Sequence, residues 1–215
     1  MKLNHRGAQA SRITWPRWTA TSIAALTSAC LALMPSGLYA HDVTPPSVPT
    51  IIKVPAGHKP FLRGRAVGTQ NFVCSVSTTG SFFWSFYGPQ ATLFDDNAAQ
   101  IMTHFLSGNP DEAGKARPTW LHSRDTSAVW AEPIQSSMDP AFVEPGAIPW
   151  LLLAVRGAET GPTDGDKLTG AIYLHRVHTS GGVAPTTGCT QASEVGNKNF
   201  VPYAADYYFY KARRK

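Results

Sequence analysis

The sequence predicts an all-β domain, an antiparallel β-sandwich or barrel-like fold stapled by one disulfide. Three observations carry that expectation. Beyond the first forty residues no stretch shows a convincing 3.6-residue apolar period, so helices are not expected. Short runs of β-branched and aromatic residues recur instead, cut by Gly, Pro, Asn and Asp at the spacing of a sandwich or barrel. Two cysteines, Cys74 and Cys189, remain once an N-terminal segment with the marks of an export signal is set aside.

That segment has three parts. Lys2, Arg6, Arg12 and Arg17 give a basic start with no acid, and an apolar run covers residues 23–34. Pro35-Ser36-Gly37 breaks the run, and Leu38-Tyr39-Ala40 places a small residue at the cut. Residues 1–40 therefore read as a signal peptide, with an apolar part too short to cross a bilayer core of about 30 Å. The mature chain then begins at His41, in the periplasm or outside the cell, and keeps no transmembrane segment. Thr27-Ser28-Ala29-Cys30 resembles a lipoprotein site only faintly, because Thr27 stands where a large aliphatic residue is preferred.

Removing 40 of 215 residues leaves 175, enough for one domain. The formal charge of +5 falls to +1, because the leader holds four basic residues and no acid. Lys211, Arg213, Arg214 and Lys215 crowd the C-terminus and read as a frayed, solvated end. No face collects Lys and Arg, so nucleic acid is not an expected partner. Cys74 and Cys189 form an even pair in an oxidising compartment and are expected to bond. Two buried free thiols are the alternative.

The elements follow in order. Residues 41–53 are Pro-rich and short of large apolar groups, so they read as an extended lead-in to a single β-rich domain over 54–215. Residues 71–77 alternate polar and apolar, Thr79-Gly80 turns the chain, and residues 82–87 form an aromatic strand. Gly88-Pro89 is expected to end that strand, with another short one at 91–94 before an Asp95-Asp96-Asn97 turn. Residues 101–105 make a further strand, and 108–118 a polar surface loop. Residues 120–122 and 128–131 flank a second hairpin turn. Residues 148–155 are apolar throughout, which suits a strand covered on both faces. Long strands at 168–178 and 200–210 close the domain.

An ordered set of segments carries a resemblance. It includes Gly68-Thr69-Gln70-Asn71-Phe72-Val73-Cys74, Gly88-Pro89-Gln90-Ala91-Thr92-Leu93-Phe94 and Thr103-His104-Phe105. Pro118-Thr119-Trp120, Ile148-Pro149-Trp150-Leu151-Leu152-Leu153 and His175-Arg176-Val177-His178 follow, then Val201-Pro202-Tyr203-Ala204-Ala205-Asp206. Together they resemble the DUF3455 family, from about Val54 to Tyr210. The resemblance implies a β-rich exported domain and a Cys74–Cys189 pairing, and it implies no catalytic residues. Two departures stand out. Asp125-Thr126-Ser127 replaces an Asp-Gly-Ser turn, which would loosen that hairpin, and the 109–117 insertion is long. A malate dehydrogenase label carried by some relatives has no support here, since no Gly-x-Gly-x-x-Gly turn joins a strand to a helix.

Candidate chemistry is scattered. His41 at a mature N-terminus would offer amine and ring nitrogens to copper, with His104 as partner. His175 and His178 are three apart, so on a regular strand they face opposite sides and share no metal. Asp95-Asp96 and Thr163-Asp164-Gly165-Asp166 read as turns. Asp206 needs a partner, Arg176 or Arg63, and a structural ion pair fits it better than catalysis. Phe82, Phe83, Trp84, Phe86 and Tyr87 cannot all point inward from one strand: either they fill a core and a second layer on the strand's other face, or exposed rings stack on sugars or on a protein. Gly181-Gly182 allows close backbone approach. The binding expectation falls on His104, Trp84, Trp120, Trp150, Arg176 and Tyr203. The favoured reading is an exported, non-catalytic module binding a polysaccharide or an envelope protein, without a cofactor. An exported copper enzyme at His41/His104 and a structural or stress-related envelope protein are the alternatives.

Overall fold

The computed structural model describes residues 43–213. Eight antiparallel strands follow one another round a closed barrel, each paired with the next, and the last pairs with the first. They are β1 (His58–Val76), β2 (Phe82–Phe94), β3 (Gln100–Asn109), β4 (Lys115–His122), β5 (Ala128–Ser137), β6 (Trp150–Glu159), β7 (Tyr173–Gly181) and β8 (Lys198–Ala212). Of the two architectures expected, the barrel is the one formed. Register breaks at Asn71/Phe72, Trp130/Ala131, Pro133/Gln135 and Val177/Ser180 bend the strands so that the sheet closes. Cys74 and Cys189 are bonded, closing 115 residues of sequence.

Strand alternation fills the interior. Ala66 of β1, Leu93 of β2, Met102 of β3, Trp120 of β4, Val129 of β5, Leu151 and Leu153 of β6, and Tyr203, Tyr207 and Phe209 of β8 form one buried cluster. A second cluster lies on the opposite face of β6–β8: Trp150, Leu152, Val177, Tyr208 and Tyr210, covered by Ile52 and Val143. So the 148–155 run is covered on both faces, as expected. The lead-in does more than extend. Ile52 is fully buried, and its carbonyl accepts from His175 Nε2 at 2.7 Å while the Tyr210 hydroxyl donates to His175 Nδ1 at 2.9 Å. Burial lowers the His175 pKa and favours the neutral ring, for which Nε2–H donates to Ile52 and Nδ1 accepts from Tyr210.

Several sequence expectations are corrected. Gly88-Pro89 does not end a strand, and β2 runs through it to Phe94. β3 pairs with β2 only from Ala91 onward, so Pro89 lies on a stretch with one free edge, where a missing N–H is tolerated. The 108–118 segment is a tight hairpin rather than a loop. Asn109 is buried, accepts from Asp111 N at 3.1 Å, and donates to Glu112 Oε2 at 2.7 Å and to Arg156 O at 3.1 Å. Arg117 bridges Glu112 and Glu132, and those bonds hold the Glu112 carboxyl down at about 2. The strand expected at 168–178 starts only at Tyr173, after a turn that buries Leu168. Lys211 and Arg213 are not frayed: Lys211 stands 4.9 Å over the Phe61 ring, and Arg213 Nε donates to His58 O at 3.1 Å. Arg214 and Lys215 lie outside the described residues, as do residues 1–40, where a signal peptide is expected, and His41.

The Asp125-Thr126-Ser127 turn stays closed despite lacking glycine. Asp125 Oδ1 accepts from Ser127 N and Oγ, and Asp125 Oδ2 accepts from Lys167 N at 2.7 Å. Thr126 holds a left-handed φ of 58°. A branched side chain there costs about 1–2 kcal/mol, partly offset by glycine's greater chain entropy. Thr126→Gly is expected to raise the unfolding free energy by about 0.5–1 kcal/mol. A urea titration of the disulfide-intact protein checks this.

Candidate functional site

One end of the barrel holds a cavity of about 510 Å³. Alternation along six strands builds its walls. β1 supplies Gln70, β3 His104, β4 Pro118 and Trp120, β6 Leu151 and Leu153, β7 Arg176 and β8 Tyr207. Its mouth is framed by Phe72 and Phe86 of the β1–β2 hairpin, Met138, Ile148-Pro149, and Val183-Ala184. Gly182 lets that last segment close over the barrel end. A Cβ there would sit 2.9 Å from Gln70 Cγ and 3.0 Å from Tyr203 Cβ, and its φ is 81°. The disulfide and a bond from Trp84 Nε1 to Thr187 O at 2.9 Å tie the hairpin to the 187–189 segment.

The His104 and Trp120 rings stack at 4.2 Å and 10°, and Tyr207 meets both edge-on at 5.2 Å. His104 Nδ1 donates to Thr119 O at 2.9 Å, which leaves Nε2 as a lone-pair acceptor. Burial pushes the His104 pKa down to about 3; the Thr119 carbonyl opposes this and the nearby Arg176 charge adds to it. The ring is therefore neutral at ordinary pH. Gln70, Tyr203, Tyr207 and Arg176 have neighbouring polar tips. Yet Gln70 Nε2, Trp120 Nε1 and both tyrosine hydroxyls are buried without a hydrogen bond of good geometry. Arg176 Nε and Nη2 donate to Pro149 O at 3.2 and 2.9 Å. No carboxylate, cysteine or serine lines the cavity.

A family model described as a protein of unknown function (DUF3455) matches residues 55–211. The chain belongs to the DUF3455 family. No curated protein and no solved structure matches it.

The DUF3455 barrel gathers some of the residues picked out from the sequence and separates others. His104, Trp120 and Arg176 line one cavity, and Tyr203 is buried beside it. Trp84 stays at the rim. Trp150 points the other way, into the second cluster, with Phe142 at 5.7 Å and His178 at 5.2 Å. Asp206 takes His178 Nδ1 at 3.0 Å and Arg63 Nε at 3.9 Å, so its partner is Arg63 rather than Arg176. His175 and His178 do not face opposite sides. A bulge after Val177 and a φ of 49° at His178 turn both outward, one buried under the lead-in and one exposed.

Among the described residues, no group of three His, Cys, Asp or Glu converges as metal ligands. Sequence reasoning missed Gln70, Tyr207, Phe72 and Val183. The even, four-residue step from Tyr203 to Tyr207 was a usable signal for a shared face. The exposed rings expected on the aromatic strand are Phe83, Phe86 and Tyr87, joined by Phe200. Tyr87 and Phe200 border a larger, open groove outside β1–β3 of about 1000 Å³. The end cavity is the better candidate, because it is the more apolar of the two and gathers His104, Trp120 and Arg176.

Acid should expose the burial of His104. Its folded pKa lies below its unfolded value of about 6.5, so the stability from keeping the ring neutral is present above pH 6.5. That stability falls as pH drops toward 3, by about 1.4 kcal/mol per unit. His175 acts with the same sign, and the carboxylates held low by their partners add to the loss only below about pH 4.5. His104→Gln is expected to flatten the profile between pH 6.5 and 4, measured by urea unfolding at several pH values. An unchanged slope would show that His104 is not the buried neutral group described.

Proposed function

We propose that this DUF3455 barrel is an exported protein that binds one small organic molecule in its end cavity and does not transform it. One observation carries the reading: an apolar cavity of about 510 Å³ at the barrel end, with His104, Trp120 and Arg176 in its lining. Eight strands make a barrel interior that side chains either fill or leave open for one small ligand. Here the half around Met102 and Phe209 is packed and the half around His104 is not. A buried polar atom without a partner costs about 1–3 kcal/mol, which a ligand acceptor recovers. The lack of a nucleophile or carboxylate in the lining favours binding over turnover. Export rests on the leader's pattern and on the disulfide.

Native mass spectrometry of the protein from its natural compartment tests both halves. The expected result is a chain starting at His41, two hydrogens short until reduced, carrying one small adduct that denaturation releases. Apo-protein that fails to gain an adduct from any small-molecule extract would overturn the binding reading. A metal adduct would favour the copper alternative at His41/His104. The rings Phe83, Phe86, Tyr87 and Phe200 support a second reading, docking of a polysaccharide or envelope protein on the outer surface. Retention on insoluble polysaccharide that is lost in Phe83→Ala/Tyr87→Ala would favour it.

A further inference from the structure

We propose that the ligand of the end cavity is a small organic carboxylate with a flat or slender apolar body. The inference rests on the cavity-binding reading above and specifies its chemistry. Arg176 is the reason for the charge. It is a half-buried cation in the cavity lining, and among the described residues it has no carboxylate within ion-pair distance, whereas Arg63, Arg65, Arg117 and Arg156 each have one. Its Nε and Nη2 share the single Pro149 carbonyl, and its other polar neighbour is the Tyr207 hydroxyl, so donor hydrogens remain on Nη1 and Nη2. That end-on edge of a guanidinium matches the two oxygens of a carboxylate.

The neighbouring unsatisfied atoms ask for the same thing. Trp120 Nε1 and Arg176 are donors only, and Gln70 presents its amide nitrogen without a partner. A ligand with acceptors can pair with Arg176, and a cation cannot. No lysine lines the cavity and His104 is neutral, so the site carries one positive charge. A monoanion balances it, and a phosphate dianion would leave buried charge uncompensated. The stacked His104–Trp120 pair, Leu151 and Leu153 offer a flat apolar wall to the rest of the molecule.

The test is calorimetric titration of the disulfide-intact mature protein with matched pairs: 2-naphthoate against 2-naphthamide, and octanoate against octanamide. At least one carboxylate is expected to bind tenfold or more tightly than its amide. Arg176→Gln is expected to erase that preference while leaving amide affinity within about twofold. Equal affinity for acid and amide in the wild type, or a preference that survives Arg176→Gln, would overturn the carboxylate inference and leave the cavity reading standing. Failure of all four probes to bind would overturn both. If Arg176→Gln does not fold, Arg176→Lys replaces it: it keeps the charge and loses the fork, and the preference should fall without vanishing.

Discussion

Replacing Cys74 and Cys189 by alanine is expected to lower the unfolding free energy by about 4–5 kcal/mol, the chain-entropy value for a loop of about 115 residues. For a domain of this size that corresponds to a fall of about 10–15 °C in Tm. The bond also acts locally. It clamps the outer end of the β1–β2 hairpin to the segment that follows Gly188, and the same hairpin carries Phe72 and Phe86 at the cavity mouth. Amide exchange of residues 72–88 and 182–190 should therefore quicken in the double variant, while β6 keeps its protection. Scanning calorimetry gives the global effect. A Tm change under about 3 °C would show that the loop is already constrained without the bond.

Trp120→Ala is expected to cost about 3–5 kcal/mol, the range for deleting a large buried ring. Trp120 has no exposed surface, stacks on His104, and meets Tyr207 and Phe209 edge-on at 5.2 and 6.1 Å. Truncation would join the packed half of the barrel to the open half and let water reach His104. The histidine pKa should then rise toward its ordinary value, and the acid sensitivity described above should shrink with it. Trp120→Phe keeps most of the apolar contact and loses only the unpartnered Nε1–H, so its cost should be well under half that of alanine. Urea titrations with unchanged m-values measure both.

Much of this architecture was legible locally. Residues 148–155 announce a strand covered on both faces because nothing polar interrupts them, and Thr79-Gly80 and residues 123–126 announce turns by composition. What depends on register was not legible. Whether Gly88-Pro89 stops β2 is decided by where β3 begins to pair, sixteen residues downstream of Gly88 at His104. By residue type Asp206 could pair with either Arg176 or Arg63. The β7–β8 register instead sets Arg176 opposite Tyr207 and Val177 opposite Asp206, which sends the arginine into the barrel and the aspartate out. A single bulge then turns His178 to the aspartate's side. The cavity itself was only half visible. His104, Trp120 and Arg176 can be picked by residue type, but no local signal says that three separate strands bring them to one end of a barrel.

The most direct test of the account is a nitrogen-15 spectrum of the mature protein titrated with 2-naphthoate, watching the tryptophan indole N–H resonances. Trp120→Phe identifies the Trp120 signal, whose ring lines the cavity and whose N–H is buried without a partner, and Trp84, bonded to Thr187, is the internal reference. The account predicts that the Trp120 resonance moves with saturation at one ligand per chain while Trp84 stays within a small fraction of that shift. Movement of Trp84 with Trp120 unchanged, or no movement of either, would contradict it.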